Sequence, residues 1–323
     1  MSAPRPPVRL GTRRSPLALH QAHLARAAIN AIDPDLSVEI VELVSDGDRD
    51  PRELREIGER GIFAHVLERA LVAGDIDAAV HSSKDLELAD SGTGLVLAAW
   101  LPREDPRDAL VGFGGRDITE LPDGARVATG SARRGASLRT LRADIEPVAI
   151  RGNVATRIER SATRGDDACM LALAGLLRLG ITGERDDVLP VSVEHVVPEA
   201  GQGAVVVQTR AHVCDSTGFD WSAIDHLETR RTVQLERELA RLLGGGCERP
   251  VGVHVQLAHT RVHAFGAPDP DAAGTRVVLD LVGLELAPLL SVTTPADIDD
   301  AASWCAARLA PGIAESIHIQ VRA

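Results

Sequence analysis

A single cysteine follows three consecutive glycines late in the chain, where a helical pattern ends. The segment 242–252 reads LLGGGCERPVG. Glycine adopts positive φ without steric penalty, so glycines commonly end helices and allow other groups to approach closely. A thiol on such a loop, here Cys247, is free to carry a covalently attached group. The alternative interpretation is a helix C-cap followed by an inert cysteine.

The remaining cysteines give no comparable pattern. They are far apart in the sequence, with no Cys-x-x-Cys pair, and they are Cys169, Cys214 and Cys305. Free thiols of this kind are typical of a cytosolic protein. The spacing of histidine, cysteine and acidic residues matches no metal-ligand motif, so the sequence predicts no metal site.

A second chemical feature is a lysine–aspartate doublet after an apolar stretch. The segment 76–85 reads IDAAVHSSKD, which predicts a strand that ends in a polar cluster. In open α/β sheets, ligands bind beyond the carboxyl ends of the strands. Lys84 is also the only lysine in a chain whose other basic residues are all arginine. A solvated ion pair between Lys84 and Asp85 is the alternative interpretation.

Arginines recur where predicted strands end or helices begin. Arg13 precedes a helix that Ser15 caps, Arg133 and Arg134 lie in the first turn of another helix, and Arg151 follows a strand. Cations at a helix N-terminus oppose the helix dipole, and a bound anion would remove that penalty. One such arginine would be an ordinary surface residue. Three successive strand or helix ends that carry arginine, at 133–134, 151–157 and 178, favour anion binding in an acidic protein.

The elements that must position these residues follow a β-α-β pattern. The segments 8–11 and 38–44 read as strands, with a helix from Pro16 towards residue 32 between them, and this order predicts a largely parallel sheet. The same order returns after a segment rich in proline and charge, 102–109, which predicts a linker. A helix over 227–243, strands near 251–282, a helix over 296–309 and a last strand over 316–321 complete the chain.

Composition limits the function classes. The 323 residues are enough for two or three domains, and 44% of them are hydrophobic, as in a packed globular protein. The net charge of −12 argues against a general nucleic-acid or anionic-membrane surface. The N-terminal segment MSAPRPP has no apolar signal region, so a cytoplasmic location is predicted.

Together these motifs resemble those of the hydroxymethylbilane synthase (porphobilinogen deaminase) family from about Val8 to Leu257. The matching strings are Gly-Gly-Cys-x-x-Pro-Val-Gly, Val-His-Ser-x-Lys-Asp, Ser-x-Arg-Arg, Arg-Gly-Asn-Val-x-Thr-Arg, Ala-Gly-Leu-x-Arg-Leu-Gly and Gly-Gln-Gly-Ala. The resemblance implies a transferase that condenses four porphobilinogens stepwise, with loss of ammonia, and then releases a linear tetrapyrrole by hydrolysis. It also implies a monomer without nucleic-acid or membrane partners.

The resemblance assigns roles to individual residues. It makes Cys247 the attachment point of a dipyrromethane cofactor through a thioether, and Asp85 the catalytic carboxylate. The implied cofactor contacts are Lys84, Ser131, Arg133, Arg134 and Arg157. The implied substrate contacts are Arg13, Ser15, Arg151, Arg157 and Arg178. At four places this chain departs from the family pattern, and they are Glu59-Arg60, Leu86-Glu87, Gly130 and Gln208.

The fold that the resemblance implies is α/β, with two lobes like those of type II periplasmic binding proteins and a smaller α+β C-terminal domain. Domain 1 would comprise 1–102 and 199–216, domain 2 would comprise 103–198, and domain 3 would comprise 217–323. A rival interpretation is a non-catalytic, two-lobed anion-binding or effector-sensing protein. That alternative explains the arginines but neither the Gly-Gly-Gly-Cys loop nor the Lys84-Asp85 doublet.

Overall fold

The computed structural model describes residues 5–43, 59–88, 94–115, 117–211, 217–245, 250–256, 261–267, 269 and 271–280. The chain divides into two compact units: Met1–Arg103 with Ala204–Arg230, and Glu104–Gly203 with Arg231–Ala323. The predicted crossings near 102–106 and 198–202 therefore lie close to two of the three points where the chain changes unit, and the third lies after Arg230.

The regular elements follow one another in the order that the β-α-β pattern predicts. They are β1 (Val8–Arg13), α1 (Pro16–Ile32), β2 (Val38–Leu43), α2 (Glu59–Ala73), β3 (Ala78–Ser82), β4 (Leu95–Trp100), β5 (Asp108–Val111), β6 (Arg126–Thr129), α3 (Ala132–Leu141), β7 (Glu146–Ala149), α4 (Val154–Arg164), β8 (Ala168–Ala172), α5 (Leu173–Arg178), α6 (Ile181–Glu184), β9 (Val188–Pro190), β10 (Val205–Arg210), α7 (Leu227–Leu242), β11 (Val251–Gln256), β12 (Arg261–Gly266) and β13 (Thr275–Asp280).

The first unit is built on a five-stranded sheet with the order β2-β1-β3-β10-β4. β1 pairs in parallel with β2 and β3, whereas β10 runs antiparallel between β3 and β4. One face buries apolar side chains of α1 such as Ile29 against Leu10, and the other face buries Leu67 and Leu71 of α2 against Ile76. The sheet is thus covered by helices on both faces, as a mostly parallel sheet requires.

The second unit contains a sheet of the same design, with the order β7-β6-β8-β5-β9. β6 pairs in parallel with β7 and β8, and β5 runs antiparallel between β8 and β9. The apolar residues of this sheet pack into two clusters, one around Leu110 and Leu138 and the other around Ile150 and Leu176. In both units the antiparallel inner strand lies next to a point where the chain crosses.

A third, antiparallel sheet follows α7, in the order β11-β12-β13. Phe265 and Ala267 of this part pack against Ala136 and Val197 within the second unit. The predicted helix over 296–309 and strand over 316–321 lie outside the described residues. No helix in the described ranges has the length and apolar character needed to cross a membrane.

The predicted fold class of two α/β lobes is confirmed, with two local corrections. The segment 102–109 was expected to be a linker throughout, but its end, from Asp108, begins β5, which pairs with β8 and β9. Strand β9 had no predicted counterpart. Both strands are short, and in β5 the strand starts directly after a run of prolines and charges, which masks its apolar pattern.

Candidate active site

A hollow in the first unit lies where β1 and β3 end. These strands are parallel neighbours, so their carboxyl ends meet at one edge of the sheet. Residues from both strands, from α1 and from the turn after β3 line the hollow. Its polar lining consists of the predicted site residues Arg13, Ser15 and Asp85, together with Gln21, His81 and Ser82.

Ser15 positions the start of α1 beside Arg13. Its backbone is extended (φ −73°, ψ 148°), and its Oγ accepts a hydrogen bond from the backbone N–H of Ala18 at 3.2 Å. Pro16, the first helical residue, has no N–H that would need a partner at that position. The capped helix start and the strand end therefore place the Ser15 hydroxyl and the Arg13 guanidinium on the same hollow.

Asp85 lies on a short 3-10 turn, Ser83–Asp85, that directly follows β3. The turn is anchored because the Ser83 N–H donates to the Ala204 carbonyl oxygen at 3.0 Å. The Asp85 side chain is half-buried and forms no hydrogen bond or ion pair within the described part of the chain. Lys84 is half-buried on the same turn, but it is not among the residues that line the hollow.

His81 is a buried member of the hollow that sequence reasoning did not assign. Burial lowers its pKa to about 4, the Gln208 side chain partly opposes this shift, and the Arg13 charge adds to it. The imidazole is therefore neutral at neutral pH and adds no positive charge beside Arg13. Its Nε2 is buried and makes no hydrogen bond within the described residues.

In the second unit, the predicted arginines follow strands that end at one edge of the other sheet. β6, β7 and β8 are parallel, and they lead respectively to Ser131, to Arg151 and to the start of α5. Ser131 caps α3, and its Oγ accepts a hydrogen bond from the Arg134 backbone N–H at 3.5 Å. The strand-end placement predicted from the sequence is therefore present in both units.

Arg133 and Arg134 share one buried carboxylate, that of Asp108. Arg133 Nη1 lies 2.8 Å from Asp108 Oδ2, and Arg134 Nε lies 2.9 Å from Asp108 Oδ1. Gln202 Nε2 donates to the same Oδ1 at 2.8 Å. Burial by itself would raise the pKa of Asp108. The charges of both arginines, together with the hydrogen bonds that Arg133 and Gln202 donate, outweigh this effect and lower the pKa. The protein's own anion thus occupies part of the arginine cluster at the start of α3.

The cluster nevertheless keeps capacity for a further anion. Two guanidinium groups face one carboxylate, which leaves one net positive charge in a buried place, since Arg133 is 2% exposed and Arg134 is 4% exposed. The Nε and Nη2 of Arg133 are buried and make no hydrogen bond within the described residues. Buried donors without a partner cost free energy, so a ligand carboxylate would complete this group.

The other predicted arginines lie around the same sheet edge. Arg151 is exposed directly after β7, and Arg157, in the first turn of α4, donates from Nε to the Gly152 carbonyl oxygen at 2.6 Å. Arg178, at the end of α5, donates from Nη2 to the Gly203 carbonyl oxygen at 2.7 Å. Burial lowers the pKa of Arg178, with Glu104 opposing the shift.

Gly130, where the resembled family has a serine, is closely packed. A Cβ at this position would lie 2.7 Å from the Ile150 carbonyl oxygen and 3.5 Å from Arg157 Nη1. The first contact is shorter than real Cβ atoms tolerate against backbone. Glycine therefore lets the segments after β6 and β7 approach each other next to Arg157.

Two features named from the sequence, Cys247 and Arg60, lie wholly or partly outside the described residues. Cys247 lies between Gly245 and Pro250, in the segment 246–249 that the structure does not describe. Arg60 belongs to α2, but its side chain is likewise not described. No group of three or more potential metal ligands occurs among the described residues.

Two functional candidates were missed by sequence reasoning for the same reason. His81 was visible in the segment VHSSKD, and Asp108 was visible in the proline-rich linker, but neither has a spacing that predicts burial. Their roles depend on Gln208 and on Arg133 and Arg134, which are distant in sequence and become neighbours only through sheet pairing.

The family model for "Porphobilinogen deaminase, dipyromethane cofactor binding domain" matches residues 8–216. A porphobilinogen deaminase of Sphingopyxis alaskensis is 43% identical over 79% of this chain and 82% of its own length. One of Chlorobium luteolum is 35% identical over 97% of both chains. Among solved structures, a periplasmic aliphatic sulphonate binding protein of Escherichia coli aligns with a TM-score of 0.40 and 16% identity over 76% of each chain.

Proposed function

The chain belongs to the porphobilinogen deaminase family. We propose that Asp85 is its catalytic carboxylate and that the arginines at the strand ends bind its substrate and cofactor. The enzyme is a transferase that condenses four porphobilinogen molecules head to tail, releases ammonia at each step and finally releases linear hydroxymethylbilane. Its cofactor is dipyrromethane. The observation that carries the residue assignment is that the Asp85 carboxylate shares the hollow of the first unit with Arg13 and has no partner among the residues that the structure describes.

Binding requires many fixed positive charges, because each pyrrole unit brings two carboxylates. Guanidinium groups stay charged at any relevant pH and bind carboxylates through two parallel hydrogen bonds. We assign Arg13, Ser15, Arg151, Arg157 and Arg178 to the substrate and the growing chain. We assign Lys84, Ser131, Arg133, Arg134 and Arg157 to the cofactor. When bound, the dipyrromethane supplies the terminal pyrrole carbon to which the first substrate is joined.

The spare donors of Arg133 carry the cofactor assignment in the second unit. Arg133 Nη1 is already committed to Asp108, whereas Nε and Nη2 have no partner in the described residues. Asp108 orients the guanidinium, and the remaining edge can accept a carboxylate. Arg134, whose donors go to Asp108, Met170 and Gln202, contributes charge and holds this arrangement.

Asp85 provides the acid–base function. In each step the carbon–nitrogen bond of the substrate aminomethyl group breaks, ammonia leaves, and the substrate becomes a cation that forms the new carbon–carbon bond. The pyrrole carbon of the growing chain that forms this bond then loses its proton. A carboxylate at this point stabilises the cation and accepts that proton. The neutral His81 adds no further positive charge to that of Arg13 in this hollow.

The test is the intact mass of the purified protein together with its product. We expect a mass excess of two pyrrole units, located on Cys247, and the formation of a linear tetrapyrrole from porphobilinogen. Cys247→Ser should lose both, whereas Cys214→Ser, a control elsewhere in the sequence, should lose neither. Wild-type protein without the excess mass and without turnover would instead support a non-catalytic anion-binding protein.

The finer organisation is also a proposal. We propose three domains, 1–102 with 199–216, 103–198 and 217–323, in support of which the antiparallel sheet β11–β13 is separate from both five-stranded sheets. We further propose a cytoplasmic monomer without nucleic-acid or membrane partners, in keeping with the net charge of −12. Light scattering of the loaded enzyme checks the oligomeric state.

A further inference from the structure

We propose that Glu236 is a positioning residue that ties both ends of the segment carrying Cys247 to the turn where the chain leaves the second unit. The inference rests on the proposed function, because it assumes that Cys247 carries the cofactor. The residues that make the contacts, Glu236, Gly201, His254 and Val255, are all described and belong to the second unit. Glu236 lies on α7, the helix that leads into the Cys247 segment.

The Glu236 carboxylate joins three parts of the unit. It is fully buried (0% exposed), and its Oε2 accepts a hydrogen bond from the Gly201 backbone N–H at 2.8 Å. Its Oε1 accepts from the Val255 backbone N–H at 2.9 Å and lies 2.9 Å from His254 Nδ1. Gly201 belongs to the turn that precedes β10, and both other partners belong to β11. One side chain therefore connects the crossover turn, α7 and β11.

The use of both oxygens makes the carboxylate difficult to replace. An ionised carboxylate only accepts hydrogen bonds, whereas a glutamine amide accepts at one end and donates at the other. In Glu236→Gln the amide NH2 would face either the Gly201 N–H or the Val255 N–H, so one buried backbone donor would lose its acceptor. Leaving a buried donor unpaired costs about 1–3 kcal/mol.

The two ends of the Cys247 segment are close together. The Gly245 N–H donates to the Ala240 carbonyl oxygen at 2.7 Å, after Gly244 has turned the chain with φ +74°. A Cβ on Gly245 would lie only 3.3 Å from Val251 Cβ. The end of α7 and the first residue of β11 thus lie side by side, and the segment between them is held at both ends.

The start of β11 also packs directly against Arg133, one of the proposed cofactor contacts. A Cβ on Gly252 would come within 2.7 Å of the Val197 carbonyl oxygen, 3.0 Å of the Pro198 carbonyl oxygen and 3.1 Å of Arg133 Cδ. Glycine allows this approach, so β11 rests on the residues before the crossover turn and on the Arg133 stem. The position of β11 therefore fixes the residues that directly follow the Cys247 segment relative to Arg133.

These contacts give Glu236 a role in geometry rather than in chemistry. If Glu236 releases either Gly201 or β11, the thiol of Cys247 is chemically unchanged, but the described residues on either side of its segment lose their fixed position relative to Arg133. A displacement of reacting groups by about 1 Å can reduce a rate by roughly a hundredfold. Cofactor attachment should persist, and each elongation step should slow.

The experiment compares Glu236→Gln with Glu238→Gln in the holoenzyme. Glu238 lies on the same helix and pairs with Arg241, so its substitution makes the same change of charge without affecting Gly201 or β11. Cofactor loading is read from intact mass, and turnover is measured per loaded enzyme well below the unfolding temperature. The distribution of partly elongated species during turnover is recorded by the same mass measurement.

We expect Glu236→Gln to be loaded but to turn over roughly ten- to a hundredfold more slowly, with early elongation species accumulating. Glu238→Gln should match wild type. His254→Phe, which removes one donor and leaves both backbone hydrogen bonds, should show a smaller loss, and it carries the test if Glu236→Gln does not fold. Wild-type turnover and species distribution in the loaded variants would overturn the proposal, whatever their melting temperatures. Absence of the mass excess from the wild-type protein would instead refute the proposed function.

Discussion

Asp85 in the first unit and Asp108 in the second show opposite uses of a carboxylate in two sheets of the same design. Asp85 follows an inner strand, is half-buried, and has no hydrogen-bond partner in the described part of the chain. Asp108 begins an inner strand, is fully buried, and binds Arg133, Arg134 and Gln202. The first carboxylate remains available to a ligand, and the second organises the groups that bind one.

The difference between the two carboxylates matches the two functions that we propose for the units, acid–base chemistry in the first and anion binding in the second. A carboxylate that exchanges protons must be reachable and not neutralised by a fixed cation. A cluster of arginines that binds anions must itself be held in place, and a buried carboxylate does so while leaving a net positive charge. In the proposed function, the same edge of the two sheets therefore supplies a reactive group in one unit and a binding group in the other.

Replacing the free carboxylate should have the largest effect. We expect Asp85→Asn to retain its fold and its covalent cofactor but to lose turnover by about 10²- to 10⁴-fold, because a carboxamide can neither accept the proton nor balance the cation. Turnover per loaded enzyme and the melting temperature measure the two effects separately. If most of the activity remained, the contrast between the two aspartates would lose its chemical meaning.

Replacing the buried carboxylate should instead affect stability first. Asp108→Asn leaves two buried guanidinium groups without their counter-charge, and breaking a buried ion pair costs about 3–5 kcal/mol of the free energy of unfolding. Asp77→Asn in the first unit is the matched control. The Asp77 side chain is 10% exposed but its partner Arg9 is 38% exposed, so water screens this pair more than the Asp108 cluster and its loss should cost less. Equal losses in urea denaturation would argue against a special role for the Asp108 cluster.

Gly130 provides a smaller test of how closely the second site is packed. Gly130→Ala and Gly130→Ser place the same Cβ 2.7 Å from the Ile150 carbonyl oxygen. Overpacking of this kind costs about 1–3 kcal/mol. We expect similar destabilisation in both variants and weaker cofactor loading, since Arg157 lies next to residue 130. Better loading in the serine variant than in the alanine variant would reveal a productive hydroxyl contact.

The sequence predicted the elements well because apolar periodicity and caps are local signals. Ser15 before Pro16 predicted the start of α1, and the apolar run 168–172 matches β8. The resemblance assigned Arg13 to substrate binding and Asp85 to catalysis, and the parallel pairing of β1 with β3 brings both residues to one hollow. The resemblance placed Arg133 and Arg134 in the binding site.

The partners of these arginines could not be predicted, because they depend on long-range pairing. Asp108 meets Arg133 only after β5 inserts between β8 and β9, and Gln202 arrives from the far crossover. The same holds for Glu236, whose partners Gly201 and Val255 are 35 and 19 residues away. The burial that makes these carboxylates important is a property of packing.

Acid should affect the stability of the two units over different pH ranges. Burial lowers the pKa of His81 from 6.5 to about 4, so between these values the unfolded chain binds a proton that the folded chain does not. The free energy of unfolding must therefore fall as the pH decreases from about 6.5 to about 4. The pKa of Asp108 is lowered from 3.8, so its contribution to the free energy of unfolding is complete above that value and is lost only as the pH falls further.

Urea denaturation at a series of pH values measures both slopes. His81→Asn should flatten the upper range and leave the lower one, whereas Asp108→Asn should do the reverse. If His81→Asn left the upper slope unchanged, His81 would be titrating in the folded protein as it does in the unfolded one, and the hollow around Asp85 would carry a second positive charge at mildly acidic pH.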